Sequence, residues 1–205
     1  MRTTTATTST IQEGVFPRPM FEMIRADIQR KRDVYFSRKN WMSRNINVFF
    51  TPGSLAVIVY RLGRWIFLMK IPILKQLLQI AYMPLKALIV ICFGINIPVR
   101  AEIGKGFVIH NFSDIFMPRS KIGENVTVQQ GVTLGAIHGK SRQPIVGNNV
   151  FIGAGAKVMG EVTIGNNVVI GANSLVINDV PDNAVVVGVP ARIVSRDSKS
   201  VYQQL

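Results

Sequence analysis

The chain has 205 residues, 24 Lys+Arg against 11 Asp+Glu, a formal net charge of +13 and 48% hydrophobic residues. That apolar fraction excludes a disordered chain, and Cys92, the single cysteine, excludes a disulfide framework. The length allows one domain or two small ones.

The charge is uneven. Residues 1–100 carry 15 Lys+Arg and 4 Asp+Glu, a net of +11; residues 101–205 carry 9 and 7, a net of +2. A basic half suits nucleic acid, an anionic membrane or a polyanionic ligand. No nucleic-acid module accompanies it, so nucleic acid is not an expected partner.

The elements follow in chain order. Residues 1–18 are Thr-rich, lack the apolar core of a secretory signal and read as a disordered tail. Residues 19–39 have helical spacing, with Phe21, Ile24 and Ile28 on one side and a solvated Lys-Arg face opposite. Pro52-Gly53 marks a break, and residues 54–69 read as a helix with Ser54 at its N-cap. Residues 72–92 read as one or two helices broken near Pro84.

From Leu62 to Val99 the chain is apolar but interrupted by Lys70, Lys75 and Lys86. Its longest uncharged run, Ala87 to Val99, is 13 residues, short of the about 20 that a spanning helix needs. A helix buried between subunits is expected here, and peripheral contact with an anionic membrane is the competing reading. The expected location is cytoplasmic, at most peripheral at the inner face of the cell membrane. The basic, apolar helical region is placed at 19–98.

From Ile103 onward an aliphatic residue, usually followed by Gly, recurs every six positions. Ile103, Ile109, Ile122, Val128 and Leu134 carry it first, then Val146, Ile152, Val158, Ile164, Ile170 and Val176. A small or β-branched residue fills the fifth place, at Val126, Val132, Val150, Ala156, Val162, Val168 and Ser174. A period of six does not fit the 3.6-residue turn of a helix. It fits short strands meeting at Gly-containing corners, which stack their aliphatic residues along an axis: a hexapeptide parallel β-helix. It is placed at 99–195, with 196–205 a C-terminal tail, so the fold class is α+β.

Two places depart from the period. One residue too many sits between Ile115 and Ile122. Between Leu134 and Val146 the gap is 12, and its midpoint is Lys140, which cannot stack in an apolar core. Ala136–Ile145 therefore reads as a loop leaving the coil, where ligand contacts concentrate.

Three segments then carry a resemblance: Gly131-Val-Thr-Leu-Gly135, Ile152-Gly-Ala-Gly-Ala-Lys157 and Gly188-Val-Pro-Ala-Arg192. Together they resemble the serine O-acetyltransferase branch of hexapeptide acyltransferases, over roughly residues 20–195. Met23-Ile-Arg-Ala-Asp27 is similar to that branch's helical start. Gly94 to Asn111 and Pro181-Asp-Asn-Ala184 resemble most the acetyltransferases of exopolysaccharide biosynthesis, of the colanic acid type. The resemblance implies a left-handed coil with three hexapeptides per turn. It also implies a homotrimer or dimer of trimers, and acetyl-CoA as co-substrate bound between coils, without a metal.

It implies site residues too. A hydroxyl acceptor needs a base, and His is suited to that near neutral pH. His110 lies where the family's catalytic His is expected, although strict alignment puts Asn111 in that column. A β-bulge would restore the register. Asn96 stands where the family has an orienting carboxylate, and Asp114 is a second candidate orienter. His138, in the expected loop, is the alternative base. Family backbone contacts to CoA fall on Gly135, Ala154 and Ala172, and Lys140, Arg142, Lys157 and Arg192 are candidate partners for its phosphates. Where the family uses Arg-His-Pro to recognise serine, this chain has Arg142-Gln143-Pro144.

That replacement directs the first expectation away from serine, to acetyl transfer onto a sugar hydroxyl in exopolysaccharide assembly, with a small or lipid-linked saccharide acceptor. Serine O-acetylation for cysteine synthesis is the alternative. A non-catalytic, membrane-docked scaffold is a third reading.

Overall fold

A computed structural model describes residues 20–36, 43–110, 113–137 and 142–202. The expected N-terminal tail, Asn111, His138 and Lys140 lie outside the described residues. The helices are α1 (Met20–Tyr35), a short α2 (Val48–Phe50), α3 (Pro52–Leu68), α4 (Pro72–Phe93) and a C-terminal α5 (Ser198–Tyr202). The segment expected as a C-terminal tail therefore contains a helix. Ser198 is buried there, and its N–H donates to the Asn183 carbonyl at 3.1 Å.

Between α4 and α5 the chain winds through three sheets. Face A stacks Ile95–Asn96, Ile115–Phe116, Thr133–Gly135, Lys157–Met159 and Leu175–Val176. Face B stacks Glu102–Ile103, Lys121–Ile122, Ile145–Val146 and Thr163–Ile164. Face C runs from Val108–Ile109 through Thr127–Val128, Phe151–Ile152 and Val169–Ile170 to Val185–Val187. All these pairings are parallel, and only Arg192–Ser195 closes face C antiparallel. The six-residue period produces this directly, one hexapeptide per face, with its aliphatic and small residues filling the axis. At the turns from face B to face C, Asn125, Asn149, Asn167 and Asn183 all take left-handed backbone (φ 57, 54, 55 and 62°). Asn tolerates that conformation best after Gly. Their side chains hydrogen-bond one to the next at 3.2, 3.1 and 3.0 Å.

One register expectation is corrected. Ile95 pairs with Ile115 and Phe116 with Thr133, so Met117, not Ile115, joins the axial column of Ile97, Leu134, Val158 and Val176. Eight positions then separate Ile109 from Met117, where six separate Val128 from Leu134. The corner holding His110 and Asp114 carries two extra residues, and the next side, Met117 to Ile122, is one short. Ser113 and Asp114 turn this corner with φ of 88° and 55°.

The helices cover the first coil, through buried charge. Arg61 on α3 grips Asp27 on α1 at 2.8 and 3.1 Å and donates to the carbonyls of Ile103 (2.7 Å) and Gly104 (2.6 Å). Asp27 also accepts the Phe107 N–H at 2.8 Å. Arg30 donates to Gly106 O at 2.7 Å, and the buried Lys31 to Ile109 O at 2.8 Å. The expected solvated Lys-Arg face of α1 is thus half wrong: Asp27, Ile28 and Lys31 form its inner side, because the carbonyls of the first coil supply partners for cations.

The second helical region also differs from expectation. α4 is one continuous helix of 22 residues, with Pro84 inside it. The carbonyl that Pro84 leaves without a donor belongs to Ile80, on the exposed side. Within the single chain most of α4 is exposed, and only Tyr82 and Ile89 are buried. By length and composition it is long and apolar enough to cross a membrane.

Candidate active site

The expected site residues gather around face A and its two edges. The outward column of face A runs Asn96, Phe116, Thr133, Lys157 and Leu175. Asn96 and Lys157 share this surface, three strand spacings or about 14 Å apart. Lys157 Nζ is engaged along it, donating to Gly131 O at 2.6 Å and Thr133 Oγ1 at 2.9 Å.

At one edge, where face C turns into face A, lie His110, Asp114, Ala154 and Ala172. His110 continues the face C strand, its N–H donating to Val128 O at 3.1 Å. Its ring is half-buried beneath Tyr35, with centroids 3.9 Å apart. Burial lowers its pKa below 6.5, and the nearby Lys31 ammonium lowers it further. The imidazole is therefore neutral at pH 7, the form a general base requires. Its Nδ1 is buried and has no hydrogen-bond partner among the described residues. Neither Asn96 nor Asp114 orients it through that atom. Asp114 packs instead against Gly94, whose φ of 63° ends α4 and where a Cβ would stand 2.9 Å from the Asp114 N. The Ala154 N–H is already committed, to Gln129 Oε1 at 3.0 Å.

At the other edge, between faces A and B, lies an open cavity of about 930 Å³. Asn96, Phe116, Arg119, Arg142, Gln143 and Glu161 are among its walls. Arg142 Nε meets Glu161 Oε1 at 3.0 Å. Gln143 Oε1 is buried without a hydrogen-bond partner among the described residues. Gly135 ends its face A strand near this edge and accepts the Gly160 N–H at 2.7 Å. His110 is not among the described residues lining the cavity. Arg192 is exposed on the antiparallel closing strand. Among the described residues no group of three His, Cys, Asp or Glu side chains could hold a metal ion.

The structure thus joins Asn96 to Arg142 in one cavity and groups His110 with Ala154 and Ala172 along the opposite edge of the same sheet. Lys31, Tyr35 and Gln129 were missed by sequence reasoning. Lys31 falls four residues after Asp27 and three after Ile28, on the apolar stripe of α1, which is the signal that could have found it.

Comparisons with known proteins bear on this geometry. Residues 143–178 match the bacterial transferase hexapeptide (six repeats) family. The serine acetyltransferase of Synechococcus elongatus is 34% identical over 186 residues, covering 89% of this chain and 72% of that protein. A serine acetyltransferase structure in complex with CoA superposes with a TM-score of 0.71 at 33% identity, over 85% of this chain and 69% of that one. The Neisseria gonorrhoeae serine acetyltransferase in complex with serine gives a TM-score of 0.72 at 27% identity, over 84% and 68%.

These findings correct the expectation of sugar acetylation in exopolysaccharide assembly. The relatives are consistently serine acetyltransferases, through both the helical region and the coil. The saccharide acceptor was inferred from one replaced residue, Gln143, and a single side chain in a cavity wall weighs less than likeness over nearly the whole chain. By that likeness the chain belongs to the serine acetyltransferase family of hexapeptide-repeat transferases.

Proposed function

We propose that the protein is an acetyl-CoA-dependent serine O-acetyltransferase, supplying O-acetylserine for cysteine synthesis. The observation that carries this is the likeness to serine acetyltransferases over 89% of the chain. The related structures with CoA and with serine support the two substrates. The proposal includes a left-handed coil, a helical unit at 19–98 and a coil unit at 99–195, a trimer or dimer of trimers, and a cytoplasmic enzyme.

In the proposed reaction the serine hydroxyl oxygen attacks the thioester carbonyl carbon of acetyl-CoA, and His110 Nε2 takes the hydroxyl proton. Backbone N–H groups at the coil corners stabilise the oxyanion. The C–S bond then breaks, and CoA leaves as a thiolate that recovers the proton from His110. The enlarged corner at Ile109–Met117 and the neutral state of the ring support this role. Asp114 and Asn96 shape the two edges of face A rather than bonding to His110 Nδ1. His138 remains the alternative base.

With the Ala154 N–H taken by Gln129, backbone recognition of CoA falls to Gly135 and Ala172. Arg142, Lys140, Lys157 and Arg192 are its candidate phosphate partners. Gln143 lines the cavity at the edge of face A opposite to His110, so it would reach a serine held at His110 only across a subunit boundary of the proposed trimer. Mass spectrometry of a reaction with acetyl-CoA and L-serine tests the proposal. O-acetylserine that forms only with enzyme supports it; an unmodified serine pool with CoA intact refutes it.

A further inference from the structure

Residues 34–101 contain nine Lys or Arg and no Asp or Glu. α4 lies within this stretch, and its side chains divide sharply. Lys75, Leu78, Tyr82, Lys86, Ile89 and Phe93 follow helical spacing and, with Val90, are the ones turned inward, half-buried or buried. Tyr82 packs so closely on α3 that a Cβ at Gly63 would stand 2.4 Å from its ring. Lys75 Nζ donates to Phe67 O at 2.7 Å on the same side. Both lysines of α4 thus face the protein, while the side turned away has no charge. Ile73, Leu77, Ile80, Met83, Leu88 and Ile91 are 55–82% exposed along it, over a helix about 33 Å long.

We infer that this face lies flat on an anionic lipid surface. Its apolar side chains would enter the boundary between headgroups and acyl chains, and the exposed Lys70 and Arg100 at one end would meet the lipid charge. Lys70 and Arg100 are exposed near the start of α4, with Arg100 5.6 Å above the ring of Phe67. Trp65 and Leu68, both partly exposed, extend the apolar surface at the end of α3, and Trp favours a membrane boundary. α4 lies along the surface rather than crossing it, because Tyr82 and Ile89 fasten it lengthwise to α3, which is itself tied to the coil through Arg61 and Tyr60. Charge selects lipid over a second copy of the same face: the exposed described charges beside it, Lys70 and Arg100, are both cations with no carboxylate on the face to pair them, whereas an anionic surface attracts both. The inference does not depend on the identity of the acceptor.

Sedimentation of the full chain with vesicles tests it. Binding to mixed phosphatidylcholine–phosphatidylglycerol vesicles is expected to be at least about tenfold tighter than to phosphatidylcholine alone, and to weaken as salt rises. The exposed-face variant L77E/I80E is expected to lose vesicle binding by about tenfold or more, with unchanged circular dichroism, oligomeric size and CoA turnover. The milder I80S variant gives the same direction without adding charge. Absence of binding to either vesicle type overturns the inference. So does a fall in the oligomeric size of L77E/I80E, which would mean that a second copy covers this face.

Discussion

The ring of His110 lies beneath that of Tyr35, centroids 3.9 Å apart and planes tilted by 45°. Helix α1 therefore roofs the residue proposed as the base, and Lys31 on the same helix reaches the carbonyl next to it, Ile109 O, at 2.8 Å. The helical region does more than cover the end of the coil. It sets the environment in which His110 titrates.

The first prediction concerns pH. Burial and then Lys31 hold the His110 pKa below 6.5, so its neutral form persists at pH 6.5. kcat/KM should hold there and fall only at lower pH, as His110 takes a proton. Lys31→Met removes a nearby cation, and the acid limb should move to higher pH. An acid limb unmoved by Lys31→Met, in an enzyme that still binds acetyl-CoA, would separate His110 from the chemistry.

Lys31 also makes stability depend on pH. Burial lowers its pKa to about 8 from 10.5. Between those values the unfolded chain holds more protons on this group than the folded one, so its contribution to stability rises with pH. Its charged form costs up to about 3 kcal/mol below pH 8, relieved as pH approaches 10.5. Thermal melts of the parent and Lys31→Met from pH 7 to 10 should show the parent gaining relative to the variant. Parallel curves would contradict the assignment.

A third prediction addresses the acceptor. Gln143 lines the cavity, and its Oε1 is buried without a hydrogen-bond partner among the described residues. If the cavity of one subunit completes the serine site of its neighbour, Gln143→Ala should raise the KM for L-serine about tenfold and leave the KM for acetyl-CoA close to that of the parent. Equal changes in both constants would instead indicate a shift of the whole loop.

The coil itself was legible because its period survives in the residues: every axial aliphatic from Val128 to Val176 falls where the spacing puts it. The irregular corner was not. Ile115 and Met117 are both apolar, and sequence alone cannot say which one enters the axial column; only pairing with Thr133 and Leu134 decides it. The same ambiguity hid where the extra residues sit, and so the enlarged corner around His110. Lys31 was misread because a cation on an amphipathic helix ordinarily faces water, and nothing local reveals that the carbonyl of Ile109, 78 residues away, supplies its partner. Pro84 looked like a break because its ring usually ends a helix, but α4 tolerates the lost bond on its exposed side.

The fourth prediction is structural. Asp27 and Arg61 are both buried and paired at 2.8 Å, and Asp27 also holds the Phe107 N–H. Asp27→Ala leaves a buried guanidinium without its counter-charge and should cost about 3–5 kcal/mol. Urea unfolding followed by circular dichroism measures it. A loss below about 1 kcal/mol would mean that the two helices are held mainly by apolar packing.

The most direct measurement is the rate of thiol release from acetyl-CoA with L-serine as acceptor, in the parent and in His110→Ala. The account predicts that L-serine accelerates release well above the acceptor-free rate and that sugars do not. It also predicts that His110→Ala lowers the serine-dependent rate by about a hundredfold or more. Release that L-serine leaves at its background rate would contradict the account, and full activity in His110→Ala would remove the proposed base from it.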